Sequence, residues 1–156
     1  MTHLSGIPGD MYQCRIWWRG SSPMSWWCLR VPATTHLAAF HPIMQQAFGW
    51  DDCHLHRFHM HGCAYGIWHP GTLGFRDDPR LIAFHFRPHE RLVYEYDFGD
   101  GWQHEVRLEQ VIPAKPGAVY PICTGGARAA PPENCGGPWV FLALQGYQRD
   151  SRVATR

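Results

Sequence analysis

The sequence has almost no excess charge of either sign. Fourteen lysines and arginines face thirteen aspartates and glutamates, a formal net charge of +1 with the histidines neutral, and no run of five basic residues occurs. Such a chain lacks the strong field that draws a protein onto phosphate backbones or anionic lipid, so specific nucleic-acid binding is not indicated. Long apolar stretches are also missing. No segment reaches the roughly eighteen apolar residues of a membrane-crossing helix, and no membrane association is expected. The opening MTHLSGIPGD has neither a basic start nor an apolar stretch, so no secretory leader is expected and the cytoplasm is the expected location. In that compartment Cys14, Cys28, Cys53, Cys63, Cys123 and Cys135 are thiols or metal ligands rather than disulfides. A Walker loop, a dinucleotide-binding glycine fingerprint, a GxSxG elbow and an HExxH helix are all absent, which removes the most readable enzyme classes.

Aromatics, turn residues and histidine are what the chain has in quantity. Its 156 residues suit one domain. The 16 glycines and 13 prolines call for many turns, and the eight tryptophans are core or groove residues. Eleven histidines make the charge sensitive to pH near neutrality.

Residues 11–19 (MYQCRIWWR) and 24–31 (MSWWCLRV) read as two strands of a hairpin spanning 11–31. A main helix is predicted near 35–48, because Leu37, Phe40, Met44 and Phe48 recur at helical spacing, with Ile43 and Ala47 widening the stripe. Thr34 or Thr35 suits its N-cap and Gly49 its C-cap. Pro42 implies either a kink or a later start near His41. Alternation marks 54–60 as a strand that continues less clearly to 65. Residues 81–86 fit a strand or one to two helical turns. RLVYEY and WQHEVRLE flank the turn-like DFGDG and make a second hairpin over 91–109. Residues 113–138 read as irregular, and 139–149 as a closing helix. The expectation is a single compact α+β domain over 11–149, with an antiparallel or mixed sheet and flexible termini at 1–10 and 150–156.

Three stretches can carry chemistry. In CHLHRFHMH, His54 and His56 share a strand face and can reach one metal ion, and His59 and His61 form a pair on the other face. In YDFGDGWQHE, Asp97 and Asp100 flank a tight loop. They either form the turn, or Asp100 and His104 face the His54/His56 pair as ligands. Cys123 and Cys135, each near glycines, can supply the sulfur half of a zinc site or a nucleophile beside His104, with Glu133 as its orienter. The candidate metal ligands are therefore His54, His56, Asp100, His104, Cys123 and Cys135, with zinc among the candidate ions. Arg57 and Arg128 suit an anionic ligand. If exposed, the Trp17, Trp18, Trp26 and Trp27 series lines a groove for a peptide or bases.

FGWDDCHLHRF, HGCAYGI, YEYDFGDGWQHEVRLE and YPICTGGARAAPPENCGGP, taken in that order, resemble the plasmid pRiA4b open-reading-frame-three-like family. Many of its members carry a transposon-passenger resolvase label. The resemblance runs from about Tyr12 to Tyr147. Its distinctive residues fall on Trp27, Trp50, His54, His56, Tyr96, Asp97, Asp100, Trp102, His104, Cys123, Glu133 and Cys135, among others. It implies an α+β domain with no settled activity, and this chain has neither the length nor the arrangement of a recombinase. The chain departs from the family pattern at Cys28, at His41-Pro42 and at Asn134. The expected function is that of an uncharacterised plasmid- or mobile-element-associated protein that acts by binding a protein partner. The alternative is a metal-dependent enzyme, such as a hydrolase, built on the His/Asp/Cys cluster. A closed structural metal site is the third reading.

Overall fold

The computed structural model describes residues 6–19, 25–67, 78–97 and 101–127. Among these, seven strands form one sheet: β1 (Asp10–Trp18), β2 (Trp26–Pro32), β3 (His56–Met60), β4 (Cys63–Ile67), β5 (Arg91–Tyr96), β6 (Trp102–Pro113) and β7 (Ile122–Ala127). Their order is β4-β3-β5-β6-β1-β2-β7, and every neighbouring pair is antiparallel. A single α-helix, α1 (Leu37–Phe48), and a 3₁₀ turn at Leu81–Phe84 complete the regular structure of the described residues. The domain is predominantly β, which corrects the α+β expectation.

Two strands hidden in the sequence account for most of that difference. Residues 61–65 do not extend β3. His61 and Gly62 both take positive φ (49° and 75°), as the two central residues of a tight hairpin turn require. The chain therefore reverses, and Met60 pairs with Cys63 at the start of β4. Residues 122–127 lie in a stretch rich in glycine and proline, yet they pair with β2 across a bulge between Cys28 and Leu29. Gly126 fits there because a Cβ would fall 2.8 Å from the Trp26 carbonyl oxygen. The projected helix at 139–149 lies outside the described residues, as do Asp100, Arg128, Glu133 and Cys135.

Hairpins β1–β2 and β5–β6 are present. α1 runs continuously from Leu37 through Pro42 to Phe48, so the later start near His41 does not occur. Its N-cap is His36 rather than a threonine. Asp78 accepts the Ala38 N–H and the Pro79 carbonyl accepts that of Leu37, so the preceding loop of the 3₁₀ turn satisfies the helix start. Gly49 closes the helix in the left-handed conformation (φ 73°).

The strands alternate between a buried inner face and an outer face. Tyr12, Ile16, Trp18, Trp27, Leu29, Phe58, Leu92, Tyr94, Tyr96, Trp102 and Val106 all enter one core cluster, together with Leu37, Phe40, Met44 and Phe48 of α1. Arg15, Trp17, Trp26, Arg57, His59, Glu95, Glu105 and Arg107 occupy the alternate, outer positions. The helix thus covers the inner face, and any polar group caught between helix and sheet must find a partner there. Among the described residues, no helix is long and apolar enough to cross a membrane.

Candidate metal centre

The apolar stripe of α1 contains two polar residues four positions apart, His41 and Gln45, and both are buried. Four positions is one helical turn, so the two side chains lie one above the other on the sheet. They join a closed ring of hydrogen bonds. Gln45 Nε2 donates to Tyr94 Oη (2.8 Å), and the Asp52 backbone N–H donates to Gln45 Oε1 (3.0 Å). His41 Nδ1 lies 2.7 Å from Tyr94 Oη and His41 Nε2 lies 2.6 Å from Asp52 Oδ1. A carboxylate only accepts, so a neutral His41 donates from Nε2 and takes the Tyr94 proton at Nδ1. Gln45, Tyr94, His41 and Asp52 then each give and receive once.

Asp52 reaches this ring from the connection between α1 and β3. It adopts the left-handed conformation (φ 55°), which aspartate tolerates better than most residues, and the turn aims its carboxylate back at the helix. Its side chain is 54% exposed whereas that of His41 is 6% exposed, so the carboxylate forms the solvent-facing rim of a buried site. His56, the first residue of β3, enters from the sheet. Its ring stacks on that of His41 with centroids 3.5 Å apart and planes 3° from parallel. Ligand-capable atoms of His41, Asp52 and His56 all lie within 4.8 Å of one another.

Electrostatics keep both rings neutral. Burial lowers the pKa of His41 against the opposing pull of the Asp52 hydrogen bond. Burial, and then the neighbouring His41, pushes His56 down to about 3. Two neutral imidazoles beside a carboxylate are the protonation state that a metal ion requires.

His56 is the one residue of the sequence-based ligand set that joins this cluster. His54 precedes β3 and its Nε2 lies 3.4 Å from Asp97 Oδ2. The hydroxyl of Tyr96 accepts the backbone N–H groups of Cys53 and His54 and holds this segment in place. His104 shares the inner face with His56, but β5 runs between them: His56 pairs with Tyr96, and His104 with Tyr94. His104 is fully buried in a box of rings, stacked on Phe48 at 4.5 Å and flanked by Trp27, Trp50 and Tyr94. Neither of its nitrogens has a hydrogen-bond partner among the described residues, and burial pushes its pKa down to about 3. Cys123 lies on β7 at the far edge of the sheet, exposed, with its Sγ 3.4 Å from the Gly125 carbonyl oxygen. Asp100 and Cys135 lie outside the described residues.

Sequence reasoning missed His41, Asp52, Gln45 and Tyr94. A usable signal existed in the polar pair His41 and Gln45 on an otherwise apolar stripe, which has to be satisfied by something across the interface.

The family described as plasmid pRiA4b ORF-3-like protein matches residues 10–153. The uncharacterised protein y4hQ of Sinorhizobium fredii (strain NBRC 101917 / NGR234) is 35% identical over 115 residues, which cover 71% of this chain and 59% of that relative. This chain thus spans under two thirds of that relative's length. The crystal structure of MM3350, a protein of unknown function from Methanosarcina mazei Go1, superposes with a TM-score of 0.79 at 31% identity, covering 93% of this chain and 84% of the other.

Proposed function

We propose that this chain, which belongs to the plasmid pRiA4b ORF-3-like family, binds one divalent transition-metal ion through His41, Asp52 and His56. The observation that carries this reading is the convergence of two neutral imidazoles and one carboxylate within 4.8 Å. Such a set suits zinc, and equally the iron of two-histidine, one-carboxylate sites. Three protein ligands leave a coordination position for water, so metal-assisted hydrolysis is the chemistry this set fits best. Exposure of Asp52 gives an ion and a substrate a way in.

Binding would change two links of the ring of hydrogen bonds, His41 to Asp52 and His41 to Tyr94. With an ion on Nε2, His41 would lose its hydrogen bond to Asp52 and Tyr94 would turn its own proton away, leaving His41 to carry its single proton on Nδ1 and donate it to Tyr94 Oη. That is the outer support metal-bound histidines normally have. The stacked rings must also fan apart, since parallel lone pairs do not meet at one ion.

Elemental analysis of untagged protein, purified without chelator and again after loading with zinc or iron, tests the reading. About one ion per chain is expected, lost in His56→Ala and Asp52→Ala. No bound metal after loading would overturn it and leave the ring as a structural lock between α1 and β5.

A second reading, a plasmid- or mobile-element-associated protein that acts by binding a partner, is favoured by a separate observation. Arginines and tryptophans stand on the sheet face that α1 does not cover.

A further inference from the structure

The outer face concentrates charge that the composition hides. Arg15, Arg19, Arg30, Arg57, Arg91 and Arg107 share it with Glu95, Glu105 and Glu109, six positive groups against three negative, in a chain whose formal net charge is +1. Three of these arginines form a row. Arg91 on β5 pairs in register with Arg107 on β6, and Arg107 with Arg15 on β1. Adjacent strands lie about 4.8 Å apart, so the row crosses about 10 Å of sheet. Like charges set directly opposite destabilise a sheet.

Glutamates relieve only the ends of the row. Glu105 binds Arg91 (2.8 Å) and Glu109 binds Arg15 (2.6 Å). Arg107, in the middle, has no carboxylate partner among the described residues, and its buried Nε has no acceptor. One pleat along the strands, Trp17 and Trp26 stand side by side in register on β1 and β2. The guanidinium groups of Arg91 and Arg107 lie over the Trp17 ring at 5.4 and 5.0 Å, and that of Arg15 over Trp26 at 4.7 Å.

We infer that this face binds a single strand of nucleic acid, with backbone phosphates along Arg91, Arg107 and Arg15 and bases stacked over Trp17 and Trp26. A guanidinium fork matches phosphate oxygens, and its stacking on indole pre-sets the fork without consuming its N–H groups. A cationic row beside an aromatic pair is the combination that binds single strands with little sequence preference. An acidic peptide would engage the arginines and leave the paired indoles unused. Near-neutral overall charge makes the attraction local, within a Debye length of about 10 Å at 0.1 M salt. The inference stands apart from the metal site, which lies on the opposite face.

Fluorescence anisotropy of a short labelled oligothymidylate, titrated with the full chain in EDTA at salt from about 50 to about 200 mM, tests it. Three phosphate contacts at about −0.7 each give an expected log–log salt slope near −2. Arg107→Gln should reduce that slope by about 0.7, and Arg107→Lys should restore it. Trp17→Ala should weaken binding about tenfold. Thermal melts of each variant establish that it is folded. Should Trp17→Ala fail to fold, the two Arg107 variants carry the test. No binding at about 50 mM salt, or a slope unchanged in folded Arg107→Gln, would overturn the proposal. Competition by polyglutamate as strong as that by the oligonucleotide would also overturn it and assign the face to an acidic protein.

Discussion

His56 and His59 belong to one short strand and point to opposite faces of it. His56 is buried, stacked on His41, and stripped of its tendency to protonate. His59 faces outward beside Glu95, 3.1 Å from a carboxylate that Arg57 also holds. Against its partial burial, Arg57 and His59 keep Glu95 below the ordinary carboxylate range. The same contrast holds across the whole sheet. Inside, polar groups are few, and the buried ones, His41, Gln45, His56 and His104, are neutral. Outside, they are charged, paired with the exception of Arg107, and interleaved with indoles. Residue type alone says little about chemistry here; the face decides it.

The sharpest way to break this comparison is to remove one tryptophan from each face. Trp102, 1% exposed on the inner face against Trp18 and Trp50, should cost about 3–5 kcal/mol on replacement by alanine, measured by urea unfolding. Trp17→Ala on the outer face should cost about 1 kcal/mol. Equal losses would show that the outer face is as much a core as the inner one.

Metal loading should separate the faces next. At an ion concentration about 100-fold above Kd, the wild type should gain about 2.7 kcal/mol in thermal unfolding experiments. His56→Ala should gain nothing, whereas His59→Ala should respond as the wild type does. A gain retained in His56→Ala would remove that ring from the site.

The aromatic box offers a third test. His104 keeps two buried nitrogens without partners among the described residues, so His104→Phe should stabilise the fold by about 1 kcal/mol. The pH dependence has a definite sign. In the folded state His104 titrates at about 3, while unfolded chain takes up the proton near 6.5. Its contribution is therefore intact above pH 6.5 and is lost as pH falls toward 3. Unfolding curves across that window should be flatter for His104→Phe than for the wild type. Parallel curves would contradict the burial of a neutral imidazole. The smallest effect is expected at Arg91→Ala, within about 1 kcal/mol, because its ion pair with Glu105 is largely exposed on the arginine side.

Several of these features were legible in the sequence. Alternation in WQHEVRLE places Trp102, His104, Val106 and Leu108 on one face, and all four are buried. The helical stripe and the Gly49 cap emerge from spacing alone. β7 did not, because its glycines and the prolines around it carry no strand propensity, and partnering with β2 overrides that. The turn at His61 and Gly62 was hidden by a histidine in a conformation that usually goes to glycine, asparagine or aspartate. The candidate centre was legible in part. His56 stood out within a histidine-rich run, but its partners come from the helix and from a turn. Only the packing of α1 on β3 and β5 brings His41 and Asp52 to it. The histidine run itself scatters: His54 goes to Asp97, His59 to Glu95 and His61 to Glu90.

The most direct test of the inner-face centre is the histidine ring ¹⁵N spectrum of labelled protein during titration with zinc. The account expects the ring nitrogens of His41 and His56 to shift together and saturate at about one equivalent, while His59, His61 and His104 stay in place. Shifts confined to the exposed histidines, or no saturable shift at all, would contradict it.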